Sequence, residues 1–250
     1  MKKLKLPQIL YSLLGVAFII GLWLLLYLVV QNSYIIPAPF VVIKNGIMLL
    51  FSGEFYLLLL STLLRVLCGV IISLTLAGVG ATICVYHKTF NAFIAPIMAT
   101  LRSLPTLAVL LIILVFIDRN FAPVVVCMLS LIPLAFSEIY DWLKKSYNTS
   151  NEMLTLYNVS KKTQVKVYLV GILPTLVKEF FTLFSFGLKL VVSGEILANV
   201  YKSIGGTIHQ ASTYSNTIYL MALTLVVCVI GIVLEVVGKI ISSKMEGKNL

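Results

Sequence analysis

Charge is scarce in this chain of 250 residues: charged residues make up 11% of it and hydrophobic residues 60%. A soluble domain carries about 25% charged and 45–50% apolar residues. A soluble fold of this length would have too few ions to cover its surface. The same figures exclude a disordered chain, a collagen-like repeat and a coiled coil. Cysteine is also sparse. Cys68, Cys84, Cys127 and Cys228 lie inside apolar runs without paired spacing, which excludes a disulfide scaffold or a redox motif and leaves small buried hydrophobes. His87 and His209 lie far apart in sequence, with no other metal ligand nearby. No GxxxxGK[ST] phosphate loop is present. Ser193-Gly194 faintly resembles an intramembrane serine protease, yet no apolar span supplies the histidine that chemistry requires. Without paired carboxylates, paired histidines or a metal cluster, an intramembrane enzyme is disfavoured.

What remains is apolar runs long enough to cross a bilayer, which takes about 20 residues of helix. No charged residue occurs from Leu6 to Ile43. Spans are expected at 10–30, 61–86, 93–117, 121–140, 168–200 and 217–241. The fold class is therefore an all-α integral membrane protein with six transmembrane helices, multi-pass in the cell membrane and solvated by the lipid bilayer. Met1-Lys-Lys-Leu-Lys5 followed by an apolar stretch has the outline of a signal peptide. The stretch is too long and no small-residue cleavage site follows, so it is expected to remain as the first span.

The charges that are present lean one way, with 19 Lys and Arg against 9 Asp and Glu. No stretch interleaves basic and aromatic residues as a nucleic-acid surface would, so nucleic acid is not an expected partner. If the N-terminus is cytoplasmic, twelve of the 19 basic residues fall in inner segments, including Lys2, Lys3, Lys88, Lys144, Lys161 and Lys244. Three fall outside, at Lys44, Arg119 and Lys202. Basic residues collect on the cytoplasmic side, which places both termini inside. The outer segment Pro37 to Glu54 has apolar residues spaced for a helix lying along the interface. The inner connection 141–167 is polar, basic and mostly free of helix breakers. Connections this long are usually functional.

That connection holds Glu152-Met-Leu-Thr-Leu-Tyr-Asn158-Val-Ser-Lys-Lys162, with Ile172-Leu173-Pro174 after it. The pattern resembles the EAA loop of permease subunits of binding-protein-dependent ABC importers, E-A-A-x3-G with an I-x-L-P-like end. Asn158 stands where the family has Gly, a mild swap because Asn tolerates left-handed backbone. Met153 and Leu154 replace the two alanines, and the Leu-Pro pair comes three residues late. Further matches follow in order: Ile36-Pro-Ala-Pro39, Ser61-Thr-Leu-Leu-Arg65, Arg102-Ser-Leu-Pro105-Thr-Leu-Ala108, Gly187-Leu-Lys189 to Gly194-Glu195, and Ser203-Ile-Gly-Gly206. They resemble the sulfonate, nitrate and taurine branch and cover residues 36 to 240.

The resemblance implies one transmembrane permease domain over 1–250, of type I ABC importer architecture. It pairs with a second permease copy, expected to be identical, and with ABC ATPase subunits and an extracytoplasmic substrate-binding protein. The chain needs no cofactor of its own and is not an enzyme, because ATP is bound and hydrolysed on the partner subunit. Glu152, Leu154, Tyr157, Asn158, Val159, Ser160 and Lys161 form the expected ATPase-coupling loop. Apolar residues in a cytosolic loop fit a partner site, or packing against the protein's own helix ends.

Charges inside spans cost about 2.5–3.5 kcal/mol each if left facing lipid, so each needs water, a partner or a helix end. Glu138, Lys178, Glu179 and Glu235 sit toward inner helix ends, where snorkelling or end pairing accounts for them as well as function does. Arg65 can pair with Glu195. Arg102, with Pro105 able to kink the third span beside it, and Lys189 either face a translocation path or are paired structurally. Arg102, Pro105, Lys189 and Glu195 are the candidate path residues. Two cations on the path imply an anionic solute such as a sulfonate, taurine or nitrate. A thiamine-precursor-like heterocycle, a stand-alone secondary transporter or channel, and a vitamin importer of the energy-coupling-factor type are the alternatives.

Overall fold

The computed structural model describes residues 6–156 and 160–246, with side chains at 10–11, 13–146, 160, 163 and 170–245. Every regular element among them is helical: α1 (Leu6–Val30), α2 (Pro39–Leu49), α3 (Gly53–Tyr86), α4 (Lys88–Ser103), α5 (Thr106–Phe116), α6 (Ala122–Leu156), α7 (Lys161–Ala198), α8 (Ile204–Thr213) and α9 (Thr217–Glu246). Five helices are long and apolar enough to cross a membrane, and α4 with α5 raises this to six if the bent pair is one span. The chain is an all-helical, multi-pass membrane protein.

Helices α3, α6, α7 and α9 form the core. In lipid there is little hydrophobic gain in bringing helices together, so association rests on close packing, and small residues permit it. One face of α3 carries Thr62, Val66, Gly69, Ser73, Ala77, Ala81 and Cys84, all buried. Cys127 of α6 wedges between two other helices. A Cβ on Gly69 of α3 or on Gly187 of α7 would lie 3.1 or 3.2 Å from its Sγ. That is the small-hydrophobe role expected of this cysteine. Between α7 and α9, Gly238 rides over Phe181, where a Cβ would collide with the phenylalanine side chain. The Ser185 hydroxyl donates to Gly231 O at 2.9 Å and the Ser242 hydroxyl to Pro174 O at 3.0 Å.

Helix α1 is different. Its 18-residue apolar window has 0% of its residues buried. It meets the rest chiefly through α2 and the segment just before it, where the Trp23 indole N–H donates to Pro37 O at 3.2 Å.

Three boundaries differ from expectation. The third span, expected as one crossing at 93–117, is broken between Ser103 and Thr106, and its halves meet at 96°. Pro105 drives Leu104 into extended backbone, ψ 129°, which a helix cannot accommodate. The inner connection expected at 141–167 is helix for most of its length, since α6 runs on to Leu156 and α7 begins at Lys161. Polarity takes that segment out of hydrocarbon, but 141–156 contains neither Gly nor Pro to stop the hydrogen-bond ladder. The second span's helix begins at Gly53 rather than 61, with Glu54 in its first turn, where a carboxylate suits the helix N-terminus. The expected interfacial helix is α2. It buries Val42, Gly46 and Leu49 mainly against α9, and a Cβ on Gly46 would lie 3.4 Å from Val226 Cγ2.

Candidate functional site

Two buried carboxylates on α7 organise the charged parts of the molecule. Glu195 is fully buried near the C-terminal end of that helix. One of its oxygens accepts from Arg65 Nη1 of α3 at 2.9 Å. The other accepts from the Thr62 hydroxyl and from the Gly205 backbone N–H, each at 3.0 Å. Helix α8 thus presents its N-terminal amides to a carboxylate, an arrangement favoured by the partial positive charge there. The Ser203 hydroxyl caps the same helix by accepting from Gly206 N at 2.9 Å, and Thr62 Oγ1 accepts from Ile204 N at 3.1 Å. Arg65 reaches Ser61 Oγ and Asn120 O as well. The expected pairing of Arg65 with Glu195 is present, as the centre of a clamp joining α3, α7 and α8.

The glycine pair Gly205-Gly206 is dictated by this closeness. A Cβ on Gly205 would overlap Glu195 Cβ, and one on Gly206 would overlap the Val200 carbonyl oxygen. Helix α7 stops just before, at Asn199, in the left-handed region with φ 48°.

The second carboxylate, Glu179, is 5% exposed. It lines an open cavity of about 480 Å³ between α4, α6, α7 and α9. Arg102, Glu138, Lys189 and Glu235 share that lining, with Ser137, Thr182 and Ser185. The structure therefore brings Arg102 and Lys189 together in one cavity. Its lining includes neither Pro105, which sits exposed at the α4–α5 break, nor Glu195 in its clamp.

Charges in this cavity are mostly unpaired. Lys239 Nζ bonds Glu235 Oε1 at 2.7 Å. Arg102 Nη2 donates to Pro133 O at 3.2 Å and to the Ser137 hydroxyl, which staples the end of α4 to α6. Among the described residues, Glu138, Glu179 and Lys189 have neither a hydrogen bond nor an ion pair. In the sequence, Glu138, Glu179 and Glu235 are separate charges toward helix ends. They lie on three segments far apart in the chain, and only the packing of α6, α7 and α9 gathers them. The one available signal was that each falls inside or beside an apolar run, where a charge is expensive.

Of the expected coupling residues, Tyr157, Asn158 and Val159 lie outside the described residues, as do the side chains of Glu152, Leu154 and Lys161. Ser160 is exposed and caps α7, its hydroxyl accepting from Thr163 N at 3.4 Å. No group of three or more His, Cys, Asp or Glu that could hold a metal ion occurs among the described residues.

The family described as "Binding-protein-dependent transport system inner membrane component" matches residues 69–247, well over half of the chain. The match takes in the cavity and Glu195, and leaves out α1 and α2. Comparison with curated protein sequences and with solved structures gave no significant match to either.

Proposed function

Because the chain belongs to the binding-protein-dependent transport system inner membrane components, which are transport components and not enzymes, we propose that it is the permease subunit of an ABC importer for a small solute. The observation that carries this reading is the open, charged cavity among the core helices of a member of that family. A charge inside a span is costly unless water, a partner or cargo meets it. A cavity lined by five such side chains is consistent with a route for a polar solute.

Both termini lie in the cytoplasm in this reading, in a cytoplasmic or inner membrane. The connection between α6 and α7, with Glu152, Leu154, Tyr157, Asn158, Val159, Ser160 and Lys161, docks on an ATPase subunit that binds the ATP. The chain itself needs no cofactor. The helical continuations of α6 to Leu156 and of α7 from Lys161 suit such a role, because a push on them is passed rigidly along both helices. A second, identical copy completes the route, and a substrate-binding protein delivers the solute on the outer face.

The ATPase assignment is tested by co-purification. A Glu152→Ala, Tyr157→Ala double variant is expected to lose its ATPase partner while still inserting in the membrane. An unchanged complex removes the assignment.

Arg102 and Lys189 give the route its affinity for negative charge, in keeping with a sulfonate, taurine or nitrate-like cargo. Pro105 breaks the helix next to Arg102, while Glu195 braces one end of α7. In proteoliposomes holding the whole transporter, Arg102→Gln and Lys189→Gln are each expected to lower ATP-driven anion uptake severalfold with ATPase activity retained. Unchanged anion uptake overturns the assignment of these cations.

A further inference from the structure

Helix α4 ends on the cavity, and little else holds that end. None of its residues is buried. The Thr100 hydroxyl donates to Pro96 O and the Ser103 hydroxyl to Thr100 O, so both stay within the helix. Among the described residues, the side-chain hydrogen bonds from α4 to another helix are those of Arg102, from Nη2 to Pro133 O at 3.2 Å and to Ser137 Oγ. Two residues further on, extended backbone at Leu104 ends the helix. On α6, Pro133 and Ser137 stand one turn apart, and the Ser137 hydroxyl donates to Pro133 O at 3.0 Å. Pro133 lacks the N–H that would close the ladder onto Leu129, so α6 is weakened at the point where Arg102 holds it.

The other arginine inside an apolar run is held differently. Arg65 is paired with a carboxylate, Glu195 Oε1, at 2.9 Å. Arg102 has no ion pair among the described residues and donates to two neutral oxygens. It lines the open cavity together with Ser137 and Lys189. A guanidinium grips a two-oxygen anion along one edge, and its own Cδ blocks one of the three edges. Both remaining edges include Nη2. That nitrogen is the one α6 has engaged. A two-point grip on an oxyanion therefore competes with α6 for Nη2, whereas a spherical anion can be met at Nε or Nη1 alone.

Resting on the transport reading above, we infer that Arg102 is a cargo-operated latch and that Ser137 sets its strength. An oxyanion in the cavity takes Nη2 from Pro133 O and Ser137 Oγ, and the end of α4 comes off α6. Charge decides the direction, because a guanidinium is held more tightly by an anion in two-point contact than by a carbonyl and a hydroxyl. Lys189 supplies a second positive group without giving up a hydrogen bond or ion pair among the described residues. From Ser137, α6 continues as one helix to Leu156, about 28 Å at 1.5 Å per residue. Release beside the proline thus travels toward the connection assigned to the ATPase, and α6 reports that the cavity is occupied. Ser137 acts through Arg102. Removing its hydroxyl weakens the latched state and so tightens the oxyanion, the opposite sign from loss of a direct cargo contact.

The test uses the full chain in nanodiscs and radiolabelled inorganic sulfate, with bound label read by scintillation proximity at constant ionic strength. Chloride is titrated as the competitor. From the net worth of one hydrogen bond, Ser137→Ala is expected to bind sulfate about three- to tenfold more tightly than the parent. Its inhibition constant for chloride is expected to stay unchanged, and Ser137→Thr, which keeps the hydroxyl, to match the parent for both ions. Equal or weaker sulfate binding by Ser137→Ala, the same gain in Ser137→Thr, or sulfate and chloride tightening together overturns the latch and leaves the anion route standing. Sulfate binding by neither parent nor variant removes the route's affinity for negative charge, and the latch with it. In complex with the ATPase, Ser137→Ala is expected to hydrolyse ATP severalfold faster than the parent without sulfate; an unchanged or slower rate overturns the relay along α6. The ABC assignment fails separately, in the co-purification experiment with the ATPase.

Discussion

Glu179 and Glu195 are the same residue type on one helix, 0% and 5% exposed at the later and the earlier position. They stand about 24 Å apart along α7 at 1.5 Å per residue. Their surroundings are opposite. Around Glu195 both carboxylate oxygens are met, by three donors in all, and two glycines let α8 close onto it. Around Glu179 the helices stand apart and the space is open. Burial alone therefore does not tell a braced carboxylate from one that borders open space. What separates them is whether the fold supplies the partners.

The contrast can be broken most forcefully at the brace. Glu195→Ala strands the Arg65 guanidinium, the Thr62 hydroxyl and the Gly205 N–H, and removing one member of a buried pair costs about 3–5 kcal/mol. A large fall in the thermal midpoint of the purified protein is expected; a midpoint within error of the parent would show that the clamp is not needed. Gly206→Ala comes next, since its Cβ would meet the Val200 carbonyl. Overpacking of this kind costs about 1–3 kcal/mol, and the same melting experiment reads it. The smallest effect is expected for Glu179→Gln, which changes a buried acid that has no hydrogen bond or ion pair among the described residues while keeping the shape. Its midpoint should match or exceed the parent's. A loss as large as that of Glu195→Ala would erase the distinction between the two carboxylates.

Helix α1 and the core helices make a parallel case. Both carry long apolar runs, yet α3 lines up Gly69, Ser73, Ala77 and Ala81 with bulkier residues along one buried face, while most of the described α1 side chains between Leu10 and Val29 are exposed. An apolar run announces a span. Which face packs, and against what, depends on small residues meeting their counterparts on another helix.

Much of the charged geometry was legible in part. The Arg65–Glu195 pair could be anticipated because both charges fall at corresponding ends of their runs, and an arginine and a glutamate in apolar surroundings seek each other. Pro105 marked the break in the third span, though not its 96° angle, which depends on where α4 and α5 find packing partners. Helix α8 was not anticipated. Ser203 followed by Gly206 is a short capping signal, and in a glycine-containing stretch between two apolar runs it reads equally well as a turn.

The sequence by itself determined that this protein lives in a bilayer as helices, because 11% charge cannot cover a soluble fold and backbone polar groups in lipid must be satisfied within the chain. It also carried the family resemblance, in the order and spacing of short motifs. Only the tertiary structure decided which charges are held by partners and which border open space. Glu138, Glu179, Lys189 and Glu235 come from three helices, and Arg102 from a fourth. Whether a buried charge has a partner is a property of the space around it, and that space is made by helices distant in sequence packing side by side.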